Sequence, residues 1–208
     1  MKTKSAALSV IVVIVALLGF CIENIFTAFS YGVINNKNMM LPFLLGYGLA
    51  ILALYALFGT PDAPMFFKRK ISFKNKFTSV IYYFIISFLS VCIAEIVLGY
   101  ITEWFCNIIW WNYTDIPMHI TRYTSVPTSA AFALLITVFM TFFFNPLLRL
   151  LLKIKAPALN LIAVSFLFFL GIDFIHSAIY MLQENELLHV WKINLESSLR
   201  DIIVSKIR

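Results

Sequence analysis

The stretch that decides the fold is residues 77–108, which read FTSVIYYFIISFLSVCIAEIVLGYITEWFCNI. Its only charged residues are Glu95 and Glu103. A helix needs about 20 apolar residues to cross the hydrocarbon core of a bilayer, so this run is longer than one crossing requires. It predicts a membrane helix that tilts, projects from the bilayer or bends at Gly99, and that carries acids within its length.

The composition extends this interpretation to the whole chain. Of the 208 residues, 62% are hydrophobic and 12% are charged, and the mean hydropathy is +0.92. Soluble domains are about 45–50% apolar and about 25% charged, so the chain is expected to lie in a lipid bilayer. The net charge of +6 would suggest nucleic acid as a partner of a soluble chain. Here we interpret it as a topology signal and expect no nucleic acid.

Four further apolar runs are long enough to cross a membrane, and they cover residues 5–28, 41–59, 128–151 and 158–182. The predicted fold is therefore an all-α, polytopic membrane protein with five transmembrane helices in residues 1–182. Residues 183–208 form a separate tail, in which apolar residues recur at three- and four-residue spacing from Leu188 onward. This spacing predicts an amphipathic C-terminal helix on the membrane or against the bundle.

Basic residues indicate the orientation. With five spans, the N-terminus and the second and fourth loops share one side and hold ten Lys and Arg, whereas the first and third loops hold only Lys37 and Arg122. Because basic loops stay in the cytoplasm, we expect the N-terminus inside and the C-terminus outside the cell membrane.

Four acids lie within the spans or at their ends: Glu23, Glu95, Glu103 and Asp173. A carboxyl at the centre of a membrane helix costs about 2.5–3.5 kcal/mol on insertion scales, so it is seldom kept without a partner or a task. The orientation places these acids toward the outer half of the membrane. They predict one outward-facing polar pocket.

Two helical stripes carry three of these acids. Glu95, Gly99 and Glu103 recur every four residues and share one helix face, where Gly99 allows a helix or ligand to approach closely. They line a cavity, or else Glu103 lies outside the bilayer and Glu95 bonds to a neighbouring span. Asp173 and His176 lie one turn apart, where the carboxylate can fix the imidazole tautomer. The alternative is that His176 is an ordinary core residue.

The third loop reads WWNYTDIP at residues 110–117. Trp110, Trp111 and Tyr113 are typical of an interfacial aromatic belt. In the competing interpretation the loop covers the pocket, Asp115 shapes a turn, and Arg122 pairs with a pocket acid.

These motifs resemble a known family. The pattern of Glu95, Gly99 and Glu103 followed by the Trp–Trp–Asn–Tyr–x–Asp–x–Pro loop is similar to the signature of the ABC-transporter type IV (CmpB-like) family of small bacterial membrane proteins, and the vertebrate proteins called transmembrane protein 229 resemble it too. The resemblance covers roughly residues 15–150. Asn112 and Thr114 stand where the family has Asp and Ser. The resemblance implies transport together with a separate ATPase subunit.

The residues themselves leave three function classes open. The first is a transporter or transporter-associated subunit whose pocket binds a cation or an amphiphilic small molecule. The second is an intramembrane enzyme acting on a lipid or isoprenoid, and the third is a lipid-binding or scaffolding protein. The sequence contains no Walker A motif, nucleophile elbow or H-E-x-x-H metal motif, so we expect no ATPase activity, no metal and no cofactor. A homo-oligomer is compatible with all three classes.

The orientation can be tested with a reporter fused to the C-terminus. We expect a phosphatase that works only outside the cytoplasm to be active there, and a cytoplasmic fluorescent reporter to be dark, because the basic loops hold the N-terminus inside. The opposite pattern, with fusions in the second loop as control, would contradict the five-span topology.

Overall fold

The computed structural model describes residues 3–195 and shows a mostly helical protein. In this part of the chain, four helical segments are long and apolar enough to cross a membrane. They are α1 (Thr3–Tyr31), α3 (Lys76–Cys106), α4 (Val126–Val138) continuing through a π-helical turn (Phe139–Phe143) into α5 (Phe144–Leu151), and α6 (Ala156–Glu184). Their ends agree with four of the predicted spans to within three residues, which confirms those spans.

The second predicted span is shorter than expected. Helix α2 (Leu45–Phe58) has 14 residues, so it is about 21 Å long, whereas the hydrocarbon core is about 30 Å thick. The Leu44 N–H donates to the Ala16 carbonyl at 2.9 Å, and Lys4 Nζ lies 5.5 Å from the centre of the Tyr55 ring. Helix α2 therefore runs antiparallel to α1 and begins beside its middle.

Residues 32–44 run back along the C-terminal half of α1 without forming a helix. Gly32 has φ +62°, in the left-handed region that favours glycine, and it reverses the chain at the end of α1. Farther along, the Asn35 N–H donates to Asn24 Oδ1 at 2.8 Å. We call residues 32–44 the irregular segment. Backbone of this kind is tolerated at membrane depth only where protein or water satisfies its polar groups.

Asp173 of α6 supplies acceptors to the irregular segment. Its Oδ1 accepts from the Met40 N–H at 2.8 Å, and its Oδ2 accepts from the Leu41 N–H at 3.1 Å. One turn away, the Ser177 hydroxyl donates to the Asn38 carbonyl. Asp173 and Ser177 are both buried. Their side chains supply the hydrogen bonds that the irregular segment would otherwise need from water.

Two buried asparagines connect the irregular segment to the chain that follows α6. Asn36 Nδ2 donates to the Leu188 carbonyl at 2.8 Å, and the Leu188 N–H donates to Asn38 Oδ1 at 2.6 Å. Strand β1 (Val33–Asn35) then pairs antiparallel with β7 (Lys192–Asn194). The irregular segment and the chain that follows α6 therefore meet at this end of the bundle.

The predicted C-terminal helix is wrong for the described part of the tail. Helix α6 ends at Glu184, Asn185 is left-handed with φ +54°, and residues 192–194 form β7 rather than a helical turn. The reason is tertiary: the extended backbone of β7 pairs with β1, whose N–H and C=O groups would otherwise lack partners. The rest of the predicted helix, residues 196–208, lies outside the described residues.

The basic second loop forms a small sheet. Strands β2 (Gly59–Thr60), β3 (Ala63–Phe66) and β4 (Arg69–Lys70) are antiparallel neighbours. We call this end of the bundle, where α1 and α3 begin, the basic end. Strands β5 (His119–Thr121) and β6 (Thr124–Ser125) form a short hairpin just before α4.

The core lies where α1, α2, α5 and α6 pack together. Small residues of α1 such as Ala6 and Ala7 are fully buried, together with Phe144 and Leu159. The helical span continues through Pro146, which lies within α5. The π-helical turn Phe139–Phe143 lies just before it. This turn relaxes the hydrogen-bond ladder in which a proline cannot donate.

Replacing Asp173 tests its structural role. We expect Asp173→Ala to lower the free energy of unfolding by about 2–5 kcal/mol, because it leaves the Met40 and Leu41 N–H groups at membrane depth without their acceptor, at about 1–3 kcal/mol each. Thermal or denaturant unfolding of the purified protein in detergent would measure this. His176→Ala is the matched control: His176 is exposed on the same helix, so its effect should stay within about 0.5 kcal/mol. Equal effects of the two variants would contradict the role.

Candidate functional site

Glu23 of α1 bonds to a tyrosine that the sequence analysis did not select. The Tyr47 hydroxyl donates to Glu23 Oε1. The Tyr47 ring lies on Gly19, where an added Cβ would come within 2.5 Å of Tyr47 Cγ, and it meets Phe132 edge-on at 5.8 Å. Tyr47 therefore connects α2 to α1 and α4 next to the carboxylate.

Glu95 of α3 is held by two hydroxyl groups. Thr124 Oγ1 and Ser129 Oγ each donate to Glu95 Oε2 at 2.7 Å. Both donors are fully buried at the start of α4, and the Ser125 side chain caps that helix by accepting from the Thr128 N–H. The position of this carboxylate thus depends on how α4 begins.

Tyr113 brings the third loop to these two carboxyl groups. Burial raises the pKa of Tyr113, and the nearby charges of Glu95 and Glu23 raise it further, so the phenol stays protonated. The loop is fixed here because the Tyr113 N–H donates to the Arg122 carbonyl at 2.7 Å. We call Glu23, Tyr47, Glu95 and Tyr113 the tyrosine–carboxylate site.

The Lys37 side chain lies at the edge of this site. Lys37 Nζ donates to Thr27 Oγ1 at 2.7 Å, one turn beyond Glu23. Glu23 is the acid whose charge acts on the Lys37 ammonium. Lys37 therefore influences Glu23 electrostatically, although its hydrogen bond goes to a hydroxyl group.

Glu103 pairs with Arg122, which confirms the predicted counter-ion. Arg122 Nη1 lies 2.9 Å from Glu103 Oε1, and the Tyr123 hydroxyl donates to Glu103 Oε2 at 2.7 Å. Burial, followed by the hydrogen bond and charge of Glu103, raises the pKa of Tyr123 to about 12, against the effect of Arg122. Tyr123 therefore remains a hydrogen-bond donor at physiological pH, and Glu103 has its partners within the protein.

Gly99 is where the Tyr123 ring packs on α3. A Cβ at Gly99 would lie 2.1 Å from Tyr123 Cγ. Trp111 holds the tyrosine from the other side, because its Nε1 donates to the Tyr123 carbonyl at 2.8 Å and the two rings lie 5.7 Å apart. The close approach predicted for Gly99 is thus made by an aromatic ring of the same chain.

The rest of the third loop lies over the ends of α3 and α6. Trp110 packs on a buried cluster of Cys106, Ile108 and Met181. Asp115 is exposed, and the Asn112 side chain accepts from the Thr114 N–H in a local turn. The loop therefore contacts the bundle through Trp110, Trp111 and Tyr113.

Asp173 and His176 do not act together as the sequence suggested. Asp173 faces inward and holds the irregular segment, whereas His176 is exposed on another face of α6. The inward face of α6 follows a four-residue spacing through Asp173, Ser177 and Met181, which leaves His176 outside. Within residues 3–195, no group of three or more His, Cys, Asp or Glu side chains could hold a metal ion.

Two cavities in the described structure lie away from the tyrosine–carboxylate site. One of about 640 Å³ is at the basic end, and an apolar one of about 320 Å³ lies between α3 and α4. Neither is lined by a residue of the predicted site. The predicted outward-facing cavity around the acids stays a prediction.

Sequence reasoning missed Tyr47, Thr124, Ser129 and Lys37. A signal existed for Tyr47, which stands between Gly46 and Gly48 in an apolar run where small residues permit close packing. The two hydroxyl residues come from a cluster of Thr and Ser at the start of a span, as donors to a buried acid would. The only sequence signal for Lys37 was that it is the single basic residue of the first predicted loop.

The apolar helices and the acids within them define a polytopic helical membrane protein with a polar site toward one end of the bundle. The profile of the family described as "Putative ABC-transporter type IV" matches residues 10–178, and the chain belongs to this family. Searches of curated proteins and of solved structures found no match.

Gly99→Ala tests the packing of Tyr123, from the third loop, against α3. The added methyl group should displace Tyr123 from Glu103 and destabilise the protein by about 1–3 kcal/mol, the usual cost of overpacking. Gly171→Ala is the control, since nothing lies within 4 Å of an added Cβ there. Tyr123→Ala should make Gly99→Ala nearly neutral in unfolding measurements, and full additivity of the two changes would contradict the contact.

Proposed function

We propose that this chain is a membrane-embedded component of a transporter, and that its tyrosine–carboxylate site binds a cation or a cationic amphiphilic small molecule. The family membership and the membrane helices support the transporter class. The site residues support the ligand.

One observation carries the proposal: the four acids divide into two kinds. Glu103 is paired with Arg122, and Asp173 accepts from two backbone N–H groups. Glu23 and Glu95 instead bond to hydroxyl groups, and neither makes an ion pair within residues 3–195. An acid at membrane depth without an ion pair is a functional candidate, because a cation or a proton can supply the missing charge.

The aromatic side chains narrow the ligand class. Tyr47 donates to Glu23, and Tyr113, whose pKa burial raises, is near enough for the charges of Glu95 and Glu23 to raise that pKa further. Tyrosine faces attract cations that carry apolar groups. A ligand that is both positive and partly apolar uses both features. Lys37 opposes a cation at one edge and would favour a ligand bound nearer Glu95.

We infer five crossings, with α2 and the irregular segment together forming the second, and an N-terminus in the cytoplasm with the C-terminus outside. The sequence has no Walker A motif, so ATP hydrolysis would come from a separate ATPase subunit.

Glutamine variants test the site with a defined probe. Purified protein in lipid nanodiscs is titrated with radiolabelled tetraphenylphosphonium, a lipophilic cation. Glu23→Gln and Glu95→Gln should each weaken binding at least about tenfold, a loss of about 1.4 kcal/mol, because they remove the charges that attract it. Membrane insertion should be unchanged.

Glu103→Gln is the matched control, since it removes one negative charge from the same helix as Glu95. Its effect should be smaller, about threefold or less, because Arg122 already neutralises Glu103. Unaltered probe binding in a folded Glu95→Gln variant would contradict the proposed site. Equal losses in Glu95→Gln and Glu103→Gln would assign the effect to general surface charge.

A further inference from the structure

The larger cavity lies at the basic end, far from the tyrosine–carboxylate site. Lys76 lines it at the start of α3, and Glu95 lies 19 residues farther along that helix, or about 28 Å away. The cavity holds about 640 Å³, opens to solvent, and is lined by the β2–β3–β4 sheet, the segment 70–76, Tyr55 of α2 and Asn145 of α5. Nothing in the proposed transport function uses it.

Hydrogen bonds from α3 fix the wall of this cavity. Ser79 Oγ donates to the Pro61 carbonyl at 2.5 Å, and the hydroxyls of Tyr82 and Tyr83 donate to the carbonyls of Met65 and Gly59 at 2.7 and 3.2 Å. These donors lie on one face of α3, and each bonds to a different part of the sheet. The cavity is therefore preformed by packing and does not depend on a loop that must close.

Its charge favours an anion. Residues 59–76 contain five Lys and Arg but one acid, Asp62. Asp62 and Lys76 offset each other, because Asp62 Oδ1 lies 3.0 Å from Lys76 Nζ, and Asp62 Oδ2 also accepts from Asn145 Nδ2 at 3.3 Å. Lys70 lines the same cavity and has no carboxylate partner among the described residues. Neutral donors for an anion are also present at Ser72 and Asn75.

The second cavity continues from the first at Lys76, which lines both. It is an apolar groove of about 320 Å³ between α3 and α4, and it includes Phe77, Leu134 and Phe142, all exposed on the membrane-facing surface. Phe142 belongs to the π-helical turn, a distortion that often occurs at functional sites. A polar, positive cavity thus adjoins an apolar groove at one lysine.

We propose that these two cavities together bind one anionic phospholipid, with its phosphate headgroup in the polar cavity and an acyl chain in the groove. Lys76 stands at the junction, where a lysine can keep its stem on apolar surface and its ammonium near a phosphate. Basic pockets between membrane helices recognise anionic headgroups in this way. This lipid site is independent of the tyrosine–carboxylate site, so either site can be present without the other.

Native mass spectrometry of the full-length protein in detergent tests this with phosphatidylglycerol against phosphatidylcholine. The wild type should retain phosphatidylglycerol about tenfold better, since Lys70 offers the phosphate an ammonium without a carboxylate partner and Lys76 stands where the headgroup meets the acyl chain. The double variant Lys70→Gln with Lys76→Gln should lose that preference. Lys68→Gln with Lys74→Gln removes the same charge from the same loop outside both cavities, so the preference should stay within about twofold of wild type. Equal losses in both double variants would overturn the proposal.

A substitution in the groove tests the acyl chain separately and keeps the proposal testable if the lysine variant does not fold. Leu134→Trp should fill the groove and weaken retention of phosphatidylglycerol about tenfold, whereas Leu161→Trp, at an exposed position on α6, should not. Millimolar inorganic phosphate should leave lipid binding intact. Complete displacement by phosphate, together with no effect of Leu134→Trp, would mean a free phosphate site and would refute a lipid site.

Discussion

Backbone that is not helical must find a partner for each of its N–H and C=O groups when it lies at membrane depth. The irregular segment, residues 32–44, imposes this requirement, because it fills the space beside the C-terminal half of α1 that a full second helix would have taken. Asp173, Asn36 and Asn38 meet the requirement with side-chain hydrogen bonds. The short α2, the polar face of α6 and the β1–β7 pair all follow from it.

The same requirement separates structural acids from available ones. Asp173 is committed to two N–H groups, and Glu103 to Arg122 and Tyr123. Glu23 and Glu95 have hydroxyl partners instead, which can rotate and leave the carboxylate free to accept another group. The hydroxyls of Thr124 and Ser129 come from the turn into α4, so the chemistry of Glu95 depends on that turn.

The sequence predicted what depends on local pattern. Four spans are correct to within three residues, because apolar run length is a property of the chain itself. The Arg122 ion pair was also accessible, since Arg122 is the one basic residue of its loop. The role of Asp173 could not be predicted, because its partners are the backbone N–H groups of Met40 and Leu41, which no side-chain pattern marks.

The prediction for the tail was wrong for a related reason. The helical spacing in residues 188–194 was overridden by strand pairing of residues 192–194 with residues 33–35. Tyr47 was missed because its partner, Glu23, lies on another helix 24 positions earlier.

The pairing of β1 with β7 has a consequence for the order in which the protein can be completed. Membrane proteins are inserted in the order in which they are synthesised, so α1 and the irregular segment enter before α6. Their acceptors on α6 and beyond, from Asp173 to Lys192, follow more than 130 residues later. Until then the polar backbone of the irregular segment must remain with water or with the insertion machinery. The irregular segment thus enters before α6 but is among the last parts of the described chain to reach its final structure, once residues 173–194 are in place.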